Sequence, residues 1–168
     1  NAREVITGPI NTDKTFVIDK EGEYEIAGVL IAALKTYHDK VNGEERGKNL
    51  IFSIVIDGLN VVHLGDLGHK LSAAQIEKLG SVDVLLAPVG GEFSLDAEMA
   101  LDTVKDISPS YVIPMHYKTE NSKEPLTKLA GLEELEADTR KALFPENFSE
   151  FSNHRIELYR QILSEIDK

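Results

Sequence analysis

The 168-residue chain has no cysteine. No disulfide can form, and no Cys-x-x-Cys metal pair exists. That absence fits a reducing compartment and gives the expectation of a cytoplasmic protein. No apolar run approaches the roughly 20 residues of a membrane helix. The opening Asn1-Ala2-Arg3-Glu4 carries no apolar stretch of a signal peptide. No membrane partner is therefore expected. Positive charge is scarce as well: 18 Lys and Arg stand against 29 Asp and Glu, for a net charge of −11. A phosphate backbone is gripped by clustered Lys and Arg, so no nucleic acid partner is expected. The first residue is not Met, and the expectation is a processed or cut chain with sequence before Asn1. Repeats, low-complexity linkers and a His-Glu-x-x-His string are also missing.

What is present suits one domain, since a chain of this size can bury about 70% of its unfolded surface. Residues 15–18 form a short β-prone run. Residues 24–34 read as a strand centred on Val29, Leu30 and Ile31. Residues 35–48 are polar, with Asn42-Gly43 as a turn signal. Two β-branched runs, residues 50–56 and 60–64, flank Asp57-Gly58, a pair suited to the positive φ angles of a tight hairpin.

The pattern changes after Asp66. Ser72-Ala73-Ala74-Gln75 fits a capping box, and the helix it opens should end at Gly80. Residues 82–89 form a nearly continuous apolar run, as in a strand buried on both faces. A helix over residues 97–107 follows, with Ser94 and Asp96 as competing N-caps and Pro109 as its stop. Residues 111–116 make another strand. This alternation predicts parallel pairing in an α/β layer. Residues 123–143 are charged and read as helical. Phe151, Arg155, Leu158, Ile162 and Ile166 then recur at the spacing of an amphipathic helix.

Five histidines stand out: His38, His63, His69, His116 and His154. Parallel α/β sheets place their sites at the carboxyl ends of strands. His38, Asp66 and His116 each follow a predicted strand, so three metal-capable side chains could converge on one sheet edge. Each also has a plainer reading, as a solvated loop histidine or, for Asp66, a turn cap. His63 could orient Asp66 or simply pack on its strand. His69 could donate a proton or sit solvated before the helix. Tyr117 could contact a substrate oxygen or cap the core. Gly90-Gly91 could offer N–H groups to an anion. His154 reads as surface.

Four strings occur in order: Thr36-Tyr37-His38-Asp39; Val62-His63-Leu64-Gly65-Asp66-Leu67-Gly68-His69; Val84-Leu85-Leu86-Ala87-Pro88-Val89-Gly90-Gly91; and Ile113-Pro114-Met115-His116-Tyr117. The series resembles the metallo-β-lactamase superfamily, and within it the lactonase-like metal-dependent hydrolases. The resemblance implies an αββα sandwich of the α/β (α+β) class, incomplete at the N-terminus. A later portion of that core would span residues 1–122, with a helical C-terminal segment at 123–168. It implies His38, Asp66 and His116 as ligands of one or two Zn²⁺ or Mn²⁺ ions, with Asp66 bridging. From residue type and position, not from the resemblance, His63 is the candidate to orient Asp66, and His69 and Tyr117 are the candidate catalytic groups. The implied reaction is attack of metal-bound hydroxide on a lactone, ester or phosphoester, with a small molecule as substrate. The family's main motif, His-x-His-x-Asp-His, is absent from this sequence and is expected upstream of Asn1. The alternative expectation is a non-catalytic partial or decayed member acting as a structural or binding module. An apolar face left by a missing sheet would then be covered by a partner or by a second copy in a homo-oligomer.

Overall fold

The computed structural model describes residues 16–118. Residues 123–168, where a helical segment is expected, and His154 lie outside the described residues. The elements run β1 (Gly22–Ile26), β2 (Val29–Tyr37), β3 (Lys48–Ile56), β4 (Leu59–His63), α1 (Ala73–Leu79), β5 (Val84–Pro88), α2 (Ala97–Ile107) and β6 (Tyr111–Met115). They build one six-stranded sheet in sequential order. β1 to β4 pair antiparallel, and β4–β5 and β5–β6 pair parallel. The expected α/β layer is present.

Two strand predictions change. The run 24–34 is not one strand: it turns at Ala27-Gly28, where φ is 51° and 81°. Positive φ at both central residues is the geometry of a two-residue hairpin turn, and the Asp57-Gly58 turn repeats it at 50° and 79°. Alanine disfavours that region by about 1–2 kcal/mol, which is why Ala27 gave no turn signal. Residues 16–18 form no strand.

Both helices begin as their caps dictate. The Ser72 hydroxyl accepts from the Gln75 N–H, and Gln75 Oε1 accepts from the Ser72 N–H at 2.9 Å. At α2 the competition goes to Asp96, which accepts from the Met99 N–H at 2.9 Å. Ser108 ends α2 in the left-handed conformation just before Pro109.

The registers put Leu34, Ile51, Val62, Leu85 and Val112 on one face of the sheet. There they pack with Leu79 of α1 and with Ala100, Val104 and Ile107 of α2. Ile51, Val62, Leu64, Leu67, Leu85 and Leu95 have no exposed surface. Each such side chain contributes roughly 1.5–3 kcal/mol on burial. The opposite face carries Lys35, Leu50, Phe52, Ile54 and His63. It floors a groove of about 1030 Å³ that runs to Gly65. Among the described residues, no helix is long and apolar enough to cross a membrane.

Candidate metal centre

β4 ends at His63, β6 at Met115 and β2 at Tyr37, and the three segments that follow supply the candidate ligands. β4 and β6 both flank β5 in parallel, so Asp66 and His116 leave the sheet at the same edge. His116 takes φ 56°, and its Nδ1 lies 3.1 Å from Asp66 Oδ1. A ring nitrogen facing a carboxylate must carry the proton, so His116 donates here from Nδ1. That hydrogen bond holds the Asp66 carboxyl below the usual carboxylate range. Partial burial opposes the shift, while His116, His38 and His63 reinforce it through their charge.

His38 completes the candidate set. Its Nε2 is buried and has no hydrogen-bond partner among the described residues. A buried ring nitrogen of this kind normally finds a partner. Nitrogen and carboxylate donors suit Zn²⁺ or Mn²⁺, and an orphaned ring nitrogen beside an ionised Asp fits a cation. The described residues alone do not enclose one: no three of their His, Asp or Glu side chains close on a point as a metal cage.

The neighbouring histidines are held by backbone. His63 Nδ1 accepts from the Gly65 N–H at 2.9 Å, one residue before Asp66. Burial pushes the His63 pKa down, and the His116 charge adds to this against the pull of Asp66. His69 Nε2 accepts from the Tyr37 N–H at 3.2 Å, and its Nδ1 lies 2.8 Å from the Lys70 carbonyl. That pairing fixes the Nδ1–H tautomer and occupies both ring nitrogens, so His69 clamps the end of β2. Tyr117 packs against the core cluster. The Gly91 N–H is taken by the Leu95 carbonyl at 3.0 Å, so the Gly-Gly pair does not present it to an anion.

Two supporting residues escaped the sequence reading. Asp39, 6% exposed, accepts four backbone N–H groups. Val41 and Gly43 donate to Oδ1, and Glu45 and Arg46 donate to Oδ2. The Asp39 carboxylate thereby shapes the loop that follows His38. Burial alone would raise its pKa, and the four N–H groups together bring it below the ordinary value. Asp ahead of Asn42-Gly43 was the available signal. The second residue is Asn49, which bridges β2 to the Asp66 turn. Gly68 closes the arrangement from below: its N–H donates to the Tyr37 carbonyl at 3.0 Å. A Cβ there would sit 2.4 Å from the His38 carbonyl carbon.

The fold agrees with what the chain is similar to. A family model described as a beta-lactamase superfamily domain matches residues 3–116. A metal-dependent hydrolase of Thermoplasma acidophilum is 34% identical over 108 residues, covering 63% of this chain and 47% of that protein. Another from Carboxydothermus hydrogenoformans is 30% identical over 110 residues, covering 63% and 49%. The chain thus spans about half the length of the curated relatives it matches. Among solved structures, a Thermotoga maritima protein assigned as a Zn-dependent hydrolase of the metallo-β-lactamase superfamily superposes with a TM-score of 0.61. It shares 38% identity and covers 71% of this chain and 57% of that one. A metallo hydrolase of Ignicoccus hospitalis shares the fold at a TM-score of 0.55 and 24% identity, covering 76% and 53%. The family match spans more than half of the sequence, and the chain belongs to the metallo-β-lactamase superfamily.

Proposed function

We propose that this chain carries the later half of a metal-dependent hydrolase site, with His38, Asp66 and His116 as ligands of a divalent ion. The observation that carries this reading is the ionised Asp66 in contact with His116, together with the buried and unpartnered His38 Nε2, whose ring lowers the Asp66 pKa through its charge. The names of the relatives support it. Zn²⁺ or Mn²⁺ suits the donor set, and such an ion supplies Lewis acidity and an acidified water.

The chain's own groups have separate parts. Asp66 carries the negative charge that would draw a cation. His116 must turn its Nδ1 proton from Asp66 to bind through that nitrogen, or bind through Nε2 and keep the hydrogen bond. His63, held neutral by burial, fixes Gly65 and with it the position of Asp66. His69 is a positioning group on Tyr37 rather than a proton donor. The groove beside the site has an apolar floor of Leu50, Phe52 and Ile54, with Lys20, Lys35 and Lys48 and the acids Asp19 and Glu21 among its lining residues. That composition favours a small lactone, ester or phosphoester with an apolar body and a polar head.

A second reading is a non-catalytic module of the same fold. It is favoured by the open ligand set among the described residues. Turnover separates the two. Lactone, ester and phosphoester substrates are offered with Zn²⁺ or Mn²⁺. Hydrolysis that chelator and Asp66→Ala both abolish supports the enzyme, and no turnover with any of them supports the module.

A further inference from the structure

Asn49 sits on β3 with 9% of its surface exposed. Every polar atom of its side chain is used. Nδ2 donates to Thr36 Oγ1 at 2.8 Å and to the Leu64 carbonyl at 2.9 Å. Oδ1 accepts from the Asp66 N–H at 2.9 Å. The amide orientation is fixed by its partners: a carbonyl can only accept and a backbone N–H can only donate. Thr36 returns the contact by donating to the Asn49 backbone carbonyl.

This network joins two places that matter. Thr36 lies two residues before His38, and Leu64 and Asp66 bracket the turn that presents the Asp66 carboxylate. The turn is cut to fit. Gly65 has φ 62°, and a Cβ on it would lie 2.4 Å from Asn49 Oδ1 and 2.9 Å from the Leu50 carbonyl oxygen. Other side chains fail here for stated reasons. Aspartate has no donor for Leu64 and adds a charge next to Asp66. Serine is too short to span both partners. Leucine has neither donor nor acceptor.

We infer that Asn49 is the positioning residue that sets Asp66 relative to the His38 strand, and so sets the spacing of two of the ligands. This rests on the metal-site reading above. Its test uses the metal-free chain, so it stands or fails separately from metal binding.

The experiment is NMR of the ¹⁵N-labelled full chain and its Asn49→Ala variant at alkaline pH. Two signals are read: exchange of the Asp66 amide, and the ring nitrogen shifts of His116, which report its tautomer. The expected result is an Asp66 amide that exchanges about tenfold faster, the effect of losing one net hydrogen bond. The His116 ring is expected to leave the Nδ1–H tautomer that Asp66 holds. Amides of the β3–β4 ladder, such as Ile54 and Val61, keep their protection. Unchanged Asp66 exchange and an unchanged His116 tautomer overturn the inference. So does equal loss of protection across β3 and β4, which marks a merely structural role. If Asn49→Ala does not fold, Thr36→Val is read instead, since it removes one hydroxyl and little shape. A smaller change of the same two signals supports the inference, and no change overturns it.

Discussion

Asp66 and His116 come from loops separated by fifty residues of chain, and their side chains meet 3.1 Å apart at the carboxyl edge of the parallel strands. The contact follows from topology: β5 lies between the two strands that deliver them. An acid and a base brought together this way respond to pH, and the response has a definite sign.

Asp66 titrates below its ordinary 3.8 in the folded chain, first because of the His116 hydrogen bond. A depressed carboxylate contributes stability above its unfolded value and loses it as pH falls through the folded one. His63 behaves in the same direction from a higher start. Burial lowers it from 6.5, so the unfolded chain takes up a proton first and stability falls as pH drops below 6.5. Protonation would also turn the acceptor of the Gly65 N–H into a donor. Urea midpoints measured across the acid range should therefore decline in two stages. His63→Gln should flatten the upper stage and Asp66→Asn the lower. A wild-type midpoint that stays level from neutral to acid pH contradicts both assignments.

Gly68 faces backbone that cannot give way. The built Cβ lies 2.4 Å from the His38 carbonyl carbon and 2.5 Å from the Asp39 nitrogen. Its φ is not in the left-handed region, so the constraint is space alone. Gly68→Ala should cost about 3 kcal/mol, at the upper end of overpacking effects. Denaturant unfolding measures this, and a change of under about 0.5 kcal/mol, the range of ordinary surface substitutions, shows that the two loops are not packed this closely.

The Asp39 carboxylate divides its four N–H partners between two oxygens. Asn in its place keeps one acceptor and turns the other into a donor. Asp39→Asn should speed amide exchange at one pair, Val41 with Gly43 or Glu45 with Arg46, and spare the other. Asp39→Ala should speed all four while the buried core strands stay protected. Uniform behaviour of the four amides in Asp39→Asn contradicts the two-oxygen arrangement.

What could be read from the sequence was mostly what short stretches of chain decide for themselves. The Asp57-Gly58 hairpin, the Ser72–Gln75 box and the apolar run of β5 are local patterns, and the structure contains each. Ala27-Gly28 was missed because Ala rarely accepts positive φ, so nothing local announced the turn. His38, Asp66 and His116 stood out by chemistry and by position after strands. Asn49 did not, because its partners lie 13 to 17 residues away in sequence and only the sheet brings them together. Asp39 was legible in principle, with all its partners within seven residues, but an Asp before a turn is equally at home in solvent, and only the folded loop turns four N–H groups onto it.

The central proposal is that His38, Asp66 and His116 each contribute to one open cation site, which their side chains do not close on their own. Isothermal titration of Zn²⁺ into the purified full chain tests it most directly, run beside His38→Ala, Asp66→Ala and His116→Ala. Saturable binding by the wild type is expected, with at least about a tenfold loss of affinity in each variant, the scale of even supporting groups around a metal. No uptake by the wild type, or unchanged affinity in all three variants, contradicts it.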